Sequence, residues 1–201
     1  IPFEPELFKH AADRLLAREK GIRFLLHTTA VDVVKDGDRI DAVLVESKSG
    51  RGAVKGKVFI DATGDGDVAW HAGCTFTKGR PADGATQSMG TKIRIGGIRE
   101  QTPEERAHSK AVFLQAMAEG RVPIYHPLVD EISELGATLH PGEETPTVTR
   151  ARGDGTDVYD LTRNEMKLRA DALEIIAFCR KEIPGYEACY LMATPAQIGV
   201  R

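Results

Sequence analysis

The tetrapeptide Lys35-Asp36-Gly37-Asp38 separates two stretches rich in β-branched residues, Arg23–Val34 and Arg39–Glu46. Asp-Gly in such a place is the strongest short-range signal for an antiparallel hairpin. A second turn signal, Ser49-Gly50-Arg51-Gly52, leads into a third stretch, Ala53–Asp61. Connections this short join antiparallel strands only, because a parallel pair needs a crossover of a dozen or more residues. Ahead of this meander, Pro5 to Lys20 reads as a helix. Proline suits its first turn, Leu7, Phe8, Ala11, Ala12, Leu15 and Leu16 keep to one side, and Gly21 supplies the stop.

Beyond the meander, Val68–Ala72 is at most a short helix and Thr91–Ile95 alternates like a strand. Thr102-Pro103-Glu104-Glu105 is a capping box with proline at the first helical position, opening a helix to Glu119. Residues 121–160 carry little periodicity and are expected to be irregular with short strands. Thr162-Arg163-Asn164-Glu165 reads as a second capping box, for a helix to about Lys181 with Met166, Ala170, Leu173 and Ala177 on its apolar face. Ala188–Met192 is a last strand. The fold class is α+β: a helix, a three-stranded β-meander and a mostly helical second portion.

The 201 residues bear a net charge of −3, which leaves no electrostatic footprint for nucleic acid. No apolar run approaches the ~20 residues of a membrane-spanning helix, and the opening residues do not read as a signal peptide, so none is expected. Cys74, Cys179 and Cys189 are odd in number and lack Cys-x-x-Cys spacing, which argues against a disulfide framework and a zinc site. The expected setting is a reducing cytoplasm. The six histidines show no metal-ligand spacing either, so no metal is expected.

Between the meander and the short helix lies Asp61-Ala62-Thr63-Gly64-Asp65-Gly66-Asp67. Gly64 to Ala69 satisfies G-x-G-x-x-G/A, yet Asp65 and Asp67 put negative charge where backbone N–H groups should meet a pyrophosphate. The following helix is too short for a βαβ crossover, and no acidic residue ends a second strand ~20 residues on. A calcium loop counted from Asp65 has Ala69 at its fifth place and Phe76 at its twelfth; counted from Asp61 it has Ala72 at the twelfth. Neither supplies enough oxygens. A plain turn remains, unless the loop's small residues serve to let backbone approach a ligand.

The company of this loop favours the ligand. Phe59 to Asp67, followed by Ala72-Gly73 and Gly79-Arg80, resembles the Ala-Thr-Gly-Asp motif of FAD-dependent oxidoreductases with the glutathione-reductase-like FAD domain. Gly153 to Asp157, Asp160 to Arg163 with Glu165, Pro184-Gly185-Tyr186 and Ala193 to Arg201 are similar to one bacterial subgroup. The family's N-terminal G-x-G-x-x-G strand and its ribose-binding acid have no counterpart here, and the chain stops where the family continues. The resemblance therefore implies a fragment: 1–98 as a partial FAD-binding domain, 99–195 as a substrate-side insertion, and 196–201 as the start of the return into the FAD domain.

It also implies an activity, hydride transfer between a small-molecule substrate and FAD. The competing reading is a non-catalytic binding or structural module that has lost the cofactor. Ala62, Thr63, Gly64 and Asp65 are the expected cofactor contacts, with the backbone of Ala30 or Val31 at the adenine edge. Asp65 and Asp67 would cap the next helix or bond backbone and ribose hydroxyls. A guanidinium is needed to hold a substrate carboxylate, and Arg80 and Arg201 are the candidates. His71 stands nearest the loop; His126 and His140 fall in the insertion, where a general acid or base is expected, while His10, His27 and His108 carry no assignment.

Overall fold

The computed structural model describes residues 3–124 and 138–200. The chain divides into two compact bodies: one runs from Lys9 to Lys78, the other from Gly79 onward together with the first residues up to Phe8.

The smaller body holds the meander. Helix α1 (Pro5–Arg18) runs into it, two residues shorter than expected and with none of its residues buried. Strands β1 (Thr29–Asp36), β2 (Arg39–Ser47) and β3 (Gly50–Lys55) form an antiparallel sheet in the order β1-β2-β3. The hairpin closes at Asp36↔Arg39, so its two-residue turn is Gly37-Asp38, one residue later than Asp-Gly suggests. Gly37 takes φ 59°, the positive value that the first turn position of this class demands.

The outer strands differ from expectation. β1 starts at Thr29, because His27 adopts φ 52° and breaks the run from Arg23. The second hairpin closes at Ser47↔Gly50. That pulls β3 back to Gly50–Lys55 and leaves Val58 and Ile60 outside the sheet, both exposed.

In the larger body, β4 (Met89–Lys92) pairs with β6 (Thr147–Ala151), and β5 (Arg94–Gly96) pairs with β7 (Tyr190–Ala193), both antiparallel. Met89, the first residue of β4, is buried. Helix α3 (Pro103–Ala118) has the predicted capping box: Thr102 accepts from the Glu105 N–H, and the Glu105 carboxylate accepts from the Thr102 N–H. The long helix α4 (Val158–Glu182) starts before its predicted box, with Asp157 as the cap. Its buried stripe is Leu168, Ala172, Ile175, Ile176 and Cys179, spaced i, i+4, i+7, i+8, i+11. Met166, Ala170, Leu173 and Ala177, expected inside, are all exposed. Ala172, Ile175, Ile176 and Cys179 join Ile93, Ile95, Phe113 and Ala116 in one core, where Phe113 and Phe178 meet at a tilt with ring centroids 5.5 Å apart. Leu168 packs instead with Met89, Ala151 and Ile198. Buried Thr91 and Thr149 bond hydroxyl to hydroxyl across β4 and β6 at 2.5 Å. Together these elements make the α+β class predicted.

Candidate functional site

The loop after the meander is wound around Asp61. Its Oδ1 accepts from the N–H of Thr63 at 3.0 Å and from the Thr63 hydroxyl at 2.7 Å, and its Oδ2 accepts from the N–H of Ala69 at 2.9 Å. The Thr63 Oγ1 in turn accepts from the N–H of Asp67 at 2.9 Å. Two donors at the start of α2 (Asp67–His71) are thus satisfied from upstream, by Asp61 and Thr63 rather than by Asp65 or Asp67. The Ala69 N–H, with further bonds from Thr63, holds the Asp61 carboxyl below its ordinary range. Asp61 was not among the expected site residues. The signal was present: Asp-x-Thr is the pattern of an Asx turn, in which a carboxylate takes the N–H two residues on.

Apart from the Thr63 N–H, this arrangement leaves the main chain of 62–65 open to solvent. Ala62, Thr63, Gly64 and Asp65 are all exposed. None of the hydrogen bonds that shape the loop uses the N–H of Gly64 or Asp65. Gly64 has φ 98°, a conformation an L side chain rarely adopts, and the space where a Cβ would project is open to beyond 4 Å. The loop is fixed by one side and uncovered on the other.

Helix α2 is tied to β1 at two points. Lys35 Nζ donates to the carbonyl of Ala72 at the helix's last turn, where cations are favoured. The Nδ1 of His71 lies 3.5 Å from Asp32 Oδ1. Val68 and Ala72 are the buried residues of this stretch. Ala30 and Val31 stand just before Asp32 on the edge strand of the sheet, both half-buried, and Val31 falls at a register shift with no partner in β2. A bulge on a strand edge leaves backbone groups unpaired and re-aims the chain. The six expected cofactor contacts therefore lie in one body, on two segments linked through α2.

Arg80 lies in the other body. Its Nε and Nη2 donate to the two carboxylate oxygens of Asp83, each at 2.6 Å, within a loop closed by Arg80 N–H to Ala85 and Gly84 N–H to Arg80. The guanidinium expected to clamp a carboxylate thus clamps Asp83, whose carboxyl it holds low. Arg201 and His126 lie outside the described residues. The Nε2 of His140 donates to the Glu4 carboxylate at 2.8 Å, and that bond holds the Glu4 carboxyl below its ordinary range. Cys74 is exposed, while Cys179 and Cys189 are buried, and all three are free. No helix among the described residues is long and apolar enough to cross a membrane.

No curated protein and no solved structure matches the chain. A family model does: that of FAD dependent oxidoreductase, over residues 1–201. The loop's small residues, its hydrogen-bonded turn and the open space beside Gly64 are compatible with such a cofactor. Matched over its whole given length by that model, the chain belongs to the FAD-dependent oxidoreductases, and its cofactor is FAD.

Proposed function

We propose that this chain is part of a flavoenzyme whose FAD domain is of the glutathione-reductase-like kind, with residues 1–98 on the cofactor side and 99–195 on the substrate side. Bound at the loop, FAD would supply the two-electron chemistry that exchanges a hydride with a small-molecule substrate. The residues Ala62–Asp65 hold it through main chain, Asp61 and Thr63 fix that main chain in place, and the unpaired edge at Ala30 and Val31 meets the adenine. The reducing cytoplasm is the proposed setting, in keeping with three cysteines that stand unpaired.

The observation that carries this reading is the Gly64 backbone, at a φ only glycine adopts freely and with nothing over it. The test is flavin titration of the chain, followed by quenching of FAD fluorescence. Saturable quenching is expected, and Gly64→Asp should weaken it at least tenfold by placing bulk and charge against the ligand. Asp61→Asn, which loosens the turn without touching its outer face, should weaken it less. Equal affinity of Gly64→Asp and the wild type would remove the loop from the site. A chain that takes up no flavin would favour the non-catalytic module.

A further inference from the structure

The larger body holds a cleft of ≈ 580 Å³, walled by the first half of α3, the 138–144 segment and the chain after β5, with Phe113 and Ile183 at its apolar side. That volume is within the range of small-molecule pockets, roughly 300–1,000 Å³.

Two residues of its wall stand out. Glu144 is held at three points: its N–H donates to the Ile95 carbonyl at 2.9 Å, its carbonyl accepts from the Ile95 N–H at 2.8 Å, and its Oε2 accepts from the Tyr186 hydroxyl at 2.7 Å. Its second carboxyl oxygen has no partner among the described residues. Arg106, on the exposed face of α3, makes no ion pair among the described residues, and its field reaches Glu144. The other cations around the cleft are committed. Arg99 pairs with Glu105, Arg94 with Glu143, and His140 with Glu4, while Lys110 also has a partner.

We propose that this cleft binds a small organic carboxylate, with Arg106 holding the carboxylate and Glu144 as the neighbouring hydrogen-bonding group. A guanidinium fork matches one carboxylate in charge and geometry. A dianionic phosphate would bring two charges to a wall with one uncommitted cation, and would face Glu100 at the rim as well. The inference is independent of the flavin reading, because its test uses the chain without flavin.

The pH dependence follows from what surrounds Glu144. Burial pushes its carboxyl up to about 7, against the opposing pull of the Tyr186 hydroxyl bond and of Arg106. The other titratable neighbours, Tyr186 and Cys179, are pushed upward by burial, and Cys189 is raised for the same reason; none of them takes up charge as pH rises to neutrality. Below neutrality Glu144 is a neutral acid able to donate to the ligand. Above it, the carboxylate repels the ligand.

Calorimetric titration with benzoate, and with benzamide as the uncharged isostere, tests this at about pH 6 and about pH 8.5. Benzoate should saturate one site at the lower pH, at least tenfold tighter than benzamide, and weaken about tenfold at the higher. Arg106→Gln, a surface change that leaves the fold intact, should weaken benzoate about tenfold or more. Glu144→Gln should keep the affinity at the lower pH and lose the pH dependence. Absence of saturable benzoate binding, benzamide binding as tight as benzoate, or an Arg106→Gln variant that binds like the wild type would overturn the site. An unchanged pH profile in Glu144→Gln would remove Glu144 from it.

Discussion

In the body that begins at Gly79, Phe113, Ile175 and Cys179 retain 2 % or less of their surface, packed where two helices meet short strands. In the body from Lys9 to Lys78 only Ala42, Val68 and Ala72 are buried, and Val58 and Ile60 are 80 % and 88 % exposed. The difference shows that two kinds of force place residues in this chain. The meander is specified by its turns and ladder hydrogen bonds, with little apolar surface removed from water. The larger body is specified by packing. A three-stranded sheet needs a covered apolar face to be stable by itself, so the meander is expected at the low end of local stability and the core helices at the high end.

The largest effect that would sharpen this contrast comes from paired truncations. Phe113→Ala removes a fully buried ring and should cost about 3–5 kcal/mol. Ile60→Ala removes a side chain already in water and should change stability by no more than about 0.5 kcal/mol. Denaturant midpoints of the two variants measure both numbers. Comparable losses would mean that Ile60 has a packing partner and that the contrast is false.

A titration separates the bodies' chemistry in the same way, with an intermediate effect. Glu144 has its pKa raised from 4.5 to about 7 by burial in the packed body. Between those values the unfolded chain gives up the proton while the folded chain keeps it. Its contribution is therefore complete below about pH 4.5 and lost as pH rises to about 7, falling by roughly 1–3 kcal/mol once residual solvent contact of the carboxyl is allowed for. Glu105 runs the other way: Arg99 and the Thr102 N–H hold it at about 2, so its contribution is present above 4.5 and fades as pH falls through about 2. Asp61, held low by Ala69 and Thr63, shares that acid-side sign in the meander body. Melting temperature against pH, compared for wild type and Glu144→Gln, is the measurement. The variant should lose the decline between pH 4.5 and 7; a parallel curve would mean that Glu144 is not desolvated.

How much of this was legible in the sequence follows the same division. Gly37 and the β-branched runs located the first hairpin to within one residue, because a two-residue turn depends on the residues in it and little else. Thr102 and Glu105 marked the start of α3 for the same reason. The α4 stripe was not legible. Met166, Ala170, Leu173 and Ala177 recur at helical spacing just as Leu168, Ala172, Ile175 and Cys179 do, and only the partners of the second set decide which face turns inward. Nor was the end of β3. Val58 and Ile60 read as strand, yet a strand needs a neighbour, and the early turn at Lys48-Ser49 places β3 before them. At the loop, the Asx turn from Asp61 to Thr63 was legible as Asp-x-Thr, but the bond that ties Asp61 to α2 was not, since it reaches eight residues forward to Ala69.

The smallest test falls on the two helix starts, where one local signal was right and one was wrong. Thr102→Ala removes a cap that accepts from Glu105 N–H and frees the reciprocal Glu105 bond, which should cost about 1 kcal/mol. Thr162 carries the same motif but sits inside α4, donating its hydroxyl to the Val158 carbonyl at 2.7 Å, while Glu165 accepts from the Ile198 N–H at 3.1 Å instead of closing a box. Asp157 caps the helix, accepting from Tyr159 at 2.7 Å and from Asp160 at 3.3 Å. Its signal was masked because the first turn it opens is apolar on the solvent side, with Val158 and Tyr159 exposed. Thr162→Ala should therefore be neutral within about 0.5 kcal/mol, since hydroxyl back-bonding inside a helix stabilises little. Asp157→Ala should cost about 1 kcal/mol. Thermal melts of the three alanine variants rank them directly; a Thr162→Ala loss as large as that of Thr102→Ala would move the start of α4 back to the box that the sequence suggests.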